Sequence, residues 1–230
     1  VHGDLVVVDD VPGEFAERVI EAFLGRPAEV FTLALSGGET ARRCYERLAD
    51  AGGTQIDWWQ VDVYWGDERC VPLEDPDSNY RLGREALLAR VGAVNANYPM
   101  RCEEGSDSYH QRIGQLGRID LVHLGLGADG HTASLFPGSS GLVTDPGRLV
   151  ALNEDPSGTN PHQRMTLTYA GIERARLAIV TVAGEDKADA LARVHIGEDL
   201  PATHVKAERL IWLADPAAAS QISWQGEPRG

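Results

Sequence analysis

Ile119-Asp120-Leu121-Val122-His123-Leu124-Gly125-Leu126-Gly127-Ala128-Asp129-Gly130-His131-Thr132-Ala133-Ser134-Leu135-Phe136-Pro137 joins a buried strand to a glycine turn that carries two candidate acid–base groups. The first six residues form an apolar run of strand length. The glycines turn the backbone sharply and bring Asp129 and His131 to the turn, two residues apart. A helix is expected to begin near Thr132. The pattern sets an acid–base pair at the carboxyl end of a strand, where open α/β sheets hold their ligands. Gly125, Gly127 and Gly130 also fit the G-x-G-x-x-G dinucleotide fingerprint. That fingerprint belongs to the first βα turn of a chain, and this one lies in mid-chain. Asp145, about 20 positions on, falls in Val143-Thr144-Asp145-Pro146-Gly147, which reads as a turn and not a strand end. Dinucleotide binding is therefore not expected.

Outward from this run, apolar strand-like segments alternate with stretches of helical period. Strands are expected at Leu5–Val8, Phe31–Leu35, Val61–Trp65, Met165–Thr168, Leu177–Val182 and Leu210–Leu213. Helices are expected over Phe15–Leu24, Thr40–Ala49, Asn79–Arg90, Asp186–Val194 and Pro216–Ser220. Phe15, Ala16, Val19, Ile20 and Phe23 recur at the spacing of one helical face. Gly138 to Pro161 is rich in Gly, Pro, Ser and Asn and reads as a long loop with one short strand at Leu149–Leu152. The βαβα rhythm implies a largely parallel sheet with helices on both faces. Residues 1–230 read as a single domain, a size that supports a substantial core.

Hydrophobic residues make up 43% of the chain, which suits a globular protein. No apolar run is long enough to span a membrane, and no signal-peptide pattern opens the sequence. The net charge of −14 argues against nucleic acid or an anionic membrane surface as a partner. It also requires any anionic substrate to meet a local cluster of N–H groups and cations. Cys44, Cys70 and Cys102 are odd in number, widely spaced and without a C-x-x-C, which reads as reduced thiols in a cytoplasmic protein. No His stands at metal-ligand spacing from them, so no structural zinc is expected.

Three further strand-to-loop junctions carry chemistry. In Leu35-Ser36-Gly37-Gly38-Glu39-Thr40 a strand ends in a hydroxyl and glycines just before a helix. Backbone N–H groups and the positive end of a helix dipole there suit an anion, although a plain capped turn has the same look. In Trp65-Gly66-Asp67-Glu68-Arg69-Cys70-Val71-Pro72, three charges directly follow an apolar strand. They are costly unless they face solvent or a site. In Val182-Ala183-Gly184-Glu185-Asp186-Lys187-Ala188, Lys187 enters the first turn of a helix. A cation is disfavoured there unless an anion is near; Glu185 or Asp186 can also fill that need.

Together these junctions resemble the 6-phosphogluconolactonases, over nearly the whole chain. The resemblance rests on Ser36-Gly37-Gly38, Trp65–Pro72, Asp77-Ser78-Asn79-Tyr80-Arg81, Gly127–Pro137, Arg164-Met165-Thr166-Leu167-Thr168, Gly184–Ala188 and Leu200-Pro201-Ala202, in order. The motif around His131 is the most specific of them. One departure stands out: the family commonly has Ser-Thr-Pro after the two glycines, and this chain has Glu39-Thr40-Ala41. A carboxylate turned inward there would repel a phosphate, so Glu39 is expected to point outward.

The resemblance implies a Rossmann-like α/β fold shared with sugar-phosphate isomerases and glucosamine-6-phosphate deaminases. It implies hydrolysis of 6-phospho-D-glucono-1,5-lactone to 6-phosphogluconate, the second step of the oxidative pentose phosphate pathway, without metal or organic cofactor. In that mechanism a neutral His131 takes a proton from the water that attacks the lactone carbonyl. Either Asp129 or Asp67 orients the ring. Arg69 stabilises the oxyanion or holds the phosphate. Ser36, Gly37, Gly38, Thr40 and Lys187 bind phosphate, with Arg164 a further candidate. The partner is then a small sugar-phosphate lactone; the oligomeric state stays open, and a monomer is compatible with the sequence. A deaminase is one alternative, but it needs an acidic residue shortly after the histidine, and Ala133-Ser134-Leu135-Phe136-Pro137 has none. A non-catalytic sugar-phosphate sensor is the other. The lack of a basic stretch before Leu5, and the presence of both Asp129 and His131, favour the enzyme.

Overall fold

A computed structural model describes residues 2–143 and 145–222 of the chain. The strands and helices alternate from the start: β1 (Asp4–Val7), α1 (Val11–Leu24), β2 (Phe31–Leu35), α2 (Glu39–Gly52) and β3 (Val61–Trp65). Then follow β4 (Asp67–Arg69), α3 (Asn79–Gly83), α4 (Ala89–Val91), β5 (Ala96–Asn97), α5 (Ser106–Gln115) and β6 (Ile119–Gly125). The last third holds β7 (Val150–Asn153), β8 (Arg164–Leu167), α6 (Tyr169–Ile172), β9 (Ala175–Val182), α7 (Ala188–His195) and β10 (Arg209–Ala214). Seven strands form one sheet in the order β1-β10-β9-β6-β2-β3-β5. Every pairing in it is parallel, as the βαβα rhythm implies.

The order places a topological switch point between β2 and β6. From β2 the chain builds β3 and β5 toward one edge, then returns to lay β6, β9 and β10 on the other side. Loops leaving β2 and β6 therefore diverge and open a crevice at their carboxyl ends. The central strand β2 is buried along its whole length, as a strand covered on both faces must be. Phe15, Ala16, Val19, Ile20 and Phe23 of α1 are all buried, as their spacing requires. Asp10 caps this helix by accepting the Gly13 N–H at 3.0 Å.

Several sequence expectations need correction. No helix begins near Thr132; the chain makes a tight turn closed by a bridge between Thr132 and Leu135. The side chains of the turn explain this. Ser134 gives its hydroxyl to Asp67 and its backbone N–H to the Thr166 hydroxyl oxygen, so the backbone is held away from helical geometry. Residues 164–167 do not join the parallel sheet. They form the centre of a second, antiparallel sheet, β4-β8-β7, with Asp67–Arg69 and Val150–Asn153 as its edges. Pro216–Ser220 makes hydrogen-bonded turns rather than a helix. Helix α5 went unread because only Tyr109 and Ile113 of its ten residues are buried. Of the Val143–Gly147 turn, Thr144 lies outside the described residues, as do Val1 and residues 223–230 of the expected single domain. No helix among the described residues is long and apolar enough to cross a membrane.

The expectation of three reduced thiols also fails. Cys70 and Cys102 are joined in a disulfide, 32 residues apart, and only Cys44 is free and buried. Cys70 follows β4, and Cys102 opens a short turn before α5. Only the packing of these two loops brings them together, so no spacing rule could show the bond. The argument for a cytoplasmic protein from its cysteines goes with it.

The three charges after β3 find an answer other than solvent. Asp67 and Glu68 are buried; the Asp67 carboxylate accepts from the Ser134 and Asn79 side chains, and that of Glu68 mainly from the backbone. Glu68 accepts N–H bonds from Arg69, Asn79 and Tyr80 at 2.7 Å each, and the Ser78 hydroxyl at 3.1 Å. Burial raises its carboxyl above the usual glutamate range, and those N–H bonds pull the other way. This carboxylate thus moors β4 to the start of α3. Replacing it would leave buried donors unpaired, each costing about 1–3 kcal/mol. Glu68→Ala is expected to lower stability by about 3 kcal/mol or more in urea unfolding. A loss below about 1 kcal/mol would show that the β4–α3 segment does not depend on it.

Candidate active site

The carboxyl ends of β2, β6 and β9, with β4 and β8 of the small sheet, surround an open cleft of about 570 Å³. It is lined by Ser36, Gly37, Gly38, Thr40, Asp67, Arg69, His131, Arg164 and Lys187, so nine of the ten residues singled out in the sequence converge on one space. The tenth, Asp129, reaches it through His131.

His131 Nδ1 lies 2.5 Å from Asp129 Oδ1, and the same oxygen accepts the His131 backbone N–H at 3.1 Å. An ionised carboxylate only accepts, so Nδ1 carries the proton and Nε2 keeps its lone pair. Burial alone would raise the Asp129 carboxyl; its bonds to His131 outweigh this and hold it below the ordinary aspartate value. Asp67 does not compete for the ring. Its Oδ2 takes the Ser134 hydroxyl at 2.6 Å and its Oδ1 faces Asn79 Nδ2 at 3.3 Å. Of the two candidates, Asp129 is the one that orients His131. The Phe136 ring backs the imidazole, with centroids 5.0 Å apart.

The opposite wall gathers the groups proposed from the sequence to meet an anion. Gly38 caps α2 with no side-chain hydrogen bond, so the first N–H groups of that helix have no side-chain acceptor. Gly37 is required there by space: a Cβ would come within 1.9 Å of Asn79 Oδ1. Lys187 stands at the start of α7 and lines the same cleft. Its Nζ sits 3.2 Å from Asp186 Oδ2, so the neutralising partner expected from the sequence is also present. That aspartate is 70% exposed, which leaves the pair weak and open to exchange for a better anion.

Arg69 and Arg164 face each other across the antiparallel β4–β8 register. Arg69 donates to the Asp77 carbonyl at 2.6 Å, and Arg164 to the Pro161 carbonyl at 3.0 Å. The Nε of each is buried without a hydrogen-bond partner among the described residues. Burial, and then the charge of Arg69, push the Arg164 guanidinium down from its usual value.

Glu39, the first residue of α2, is exposed and sits at the rim of the cleft. Arg43, one helical turn on, lines it too and was missed; its i+4 spacing from Glu39 was the available sign. Asn160, Thr181 and Asp215 were also missed, and no local pattern marked them. Arg43, Arg69, Arg164 and Lys187 face Glu39, Asp67, Asp186 and Asp215. Four cations thus stand beside four carboxylates among the lining residues of a chain of net charge −14.

Residues 7–212 match the family described as glucosamine-6-phosphate isomerases/6-phosphogluconolactonase. The chain belongs to that family. It is 36% identical over 210 residues to a 6-phosphogluconolactonase of Synechocystis, covering 83% of this chain and 84% of that one. It is 30% identical over 247 residues to the 6-phosphogluconolactonase of Streptomyces coelicolor, covering 96% and 93%. Among solved structures, the 6-phosphogluconolactonase of Trypanosoma brucei superposes with a TM-score of 0.80 at 26% identity, covering 96% of this chain and 99% of that one. A monomeric glucosamine-6-phosphate deaminase, at 18% identity and a TM-score of 0.79, shares the fold; the pair covers 95% and 99% of the two chains.

The dyad depends on one close approach. A Cβ on Gly127 would lie 2.1 Å from His131 Nδ1 and 2.6 Å from Asp129 Oδ1. Gly127→Ala is expected to break the short Nδ1–H bond. The measurement is the downfield imidazole proton in the NMR spectrum, present in the parent protein and lost in the variant. Its persistence would mean that the ring tolerates the added methyl.

Proposed function

We propose that this cleft hydrolyses 6-phospho-D-glucono-1,5-lactone to 6-phosphogluconate. The observation that carries the reading is the pairing of an Asp129-oriented His131 with an anion wall across the same cleft. The names of the relatives supply the substrate. The free Nε2 of His131 takes a proton from water as its oxygen attacks the lactone carbonyl carbon. Asp129 stabilises the imidazolium that forms. The ring C–O bond then breaks, and His131 returns the proton to the departing ring oxygen.

The substrate is held from its far end. The Gly37–Thr40 N–H groups at the start of α2, the Ser36 and Thr40 hydroxyls and Lys187 take the phosphate. Arg69 and Arg164, with their unpaired Nε groups, complete the anion contacts; Arg69 serves the carbonyl oxygen or the phosphate. Fixing the phosphate fixes the carbonyl near His131, so binding supplies orientation. The proposal needs no cofactor. A phosphorylated substrate, which does not cross membranes unaided, supports a cytoplasmic location.

Two experiments test this. His131→Ala is expected to lower kcat about a hundred- to ten-thousand-fold while 6-phosphogluconate still binds. Near-parental turnover would remove His131 from the chemistry. Lys187→Ala is expected to lower kcat/KM for the phosphorylated lactone far more than for glucono-1,5-lactone. An unchanged ratio of the two would leave Lys187 to its partner Asp186 alone.

A further inference from the structure

A chain of hydrogen bonds runs through the core beneath the anion wall. The Ser36 N–H donates to Tyr45 Oη at 2.6 Å. Tyr45 Oη lies 2.8 Å from His123 Nδ1, and His123 Nε2 lies 2.9 Å from Thr181 Oγ1. Tyr45 and His123 are fully buried, and the Phe15 ring covers the imidazole at 4.3 Å between centroids. Both ends of the chain line the cleft: Ser36 after β2, and Thr181 on β9. They stand on either side of β6, the strand that carries His123.

The directions of these bonds follow from counting protons. Burial lowers the His123 pKa to about 3, so the ring is neutral and carries one proton. Tyr45 has one hydroxyl proton, and a lone pair already receives the Ser36 N–H. The Ser36 carbonyl at 3.2 Å is a longer alternative for that proton than Nδ1. With the proton given to Nδ1, Nε2–H donates to Thr181, and both ring nitrogens of His123 are paired. Such a polar chain in a core is costly to place and gives little net stability over an apolar packing. Its value lies in fixing a geometry.

We infer that Tyr45 and His123 are positioning residues for the phosphate wall. Tyr45 holds the Ser36 N–H inward, which sets the turn so that the N–H groups after it face the cleft. His123 ties that turn across β6 to β9, the strand that leads to Lys187. The two halves of the phosphate site are thereby kept at a fixed separation. This rests on the phosphate reading proposed above.

The test uses Tyr45→Phe, which removes only the hydroxyl, together with His123→Leu and His123→Gln. Steady-state kinetics on the phosphorylated and unphosphorylated lactones are combined with calorimetric binding of 6-phosphogluconate. For Tyr45→Phe and His123→Leu, KM and the product Kd are expected to rise about tenfold, as for a lost hydrogen bond to a charged group. The ratio of kcat/KM for the two lactones should fall by a similar factor, with the loss in KM rather than kcat. His123→Gln, which keeps a donor toward Thr181, should recover part of the loss. A lowered Tm with an unchanged ratio and unchanged product Kd would show a purely structural role and overturn the inference. If Tyr45→Phe does not fold, the His123 pair decides the matter by the same ratio. If the parent protein turns over neither lactone, the functional reading fails separately, and inorganic phosphate binding to parent and variants still tests the positioning role.

Discussion

The geometry of this protein depends on the return of the chain past β2. Parallel strands need crossovers, and crossovers in one sheet keep one hand. Here β3 and β5 are laid to one side of β2, and β6 is added on the other. The loops after β2 and β6 then leave in opposite directions, and no side chain fills the gap between them. The Ser36 turn and the Asp129–His131 turn are those two loops. The acid–base group and the anion wall face each other because of strand order, before any side-chain contact is considered.

The small antiparallel sheet closes the third side. It is joined to the main body by buried Val150, Met165 and Leu167 and by a set of polar bonds. Leu167 N donates to the Gly66 carbonyl at 2.7 Å, and Asn153 donates to the Ser134 carbonyl at 2.7 Å. Asp67 and Glu68 anchor β4 at the same place. Buried polar groups of this kind fix relative position, since each bond has a narrow range of distance and angle. Two arginines presented at the same register of neighbouring strands repel each other. They stay together because β4 and β8 are held by these other contacts.

The sequence revealed the parallel sheet, most of its strands and the residues that meet in the cleft. Those readings drew on local signals: apolar runs, glycine turns and charges at strand ends. What it hid was set by contacts distant along the chain. Residues 164–167 read as a strand but not as a member of a second sheet, because pairing partners leave no mark on a short apolar run. The turn after His131 read as a helix start because Thr132 looks like a cap; Asp67, 67 residues before Ser134, decides otherwise. Asp67 and Asp129 were equal candidates to orient His131 until their other partners were seen. Cys70 and Cys102 were separable only in three dimensions.

The balance of four cations and four carboxylates around the cleft has a kinetic side. A doubly charged sugar phosphate diffuses toward a body of net charge −14 and is repelled until it is close. At about 0.1 M salt the field of distant charges fades within roughly 10 Å, whereas contacts inside the cleft are shielded far less. Ionic strength therefore separates arrival from retention. Moderate salt speeds encounter by damping the long-range repulsion and leaves the bound state nearly untouched. That is the reverse of a protein that draws its anion in by steering.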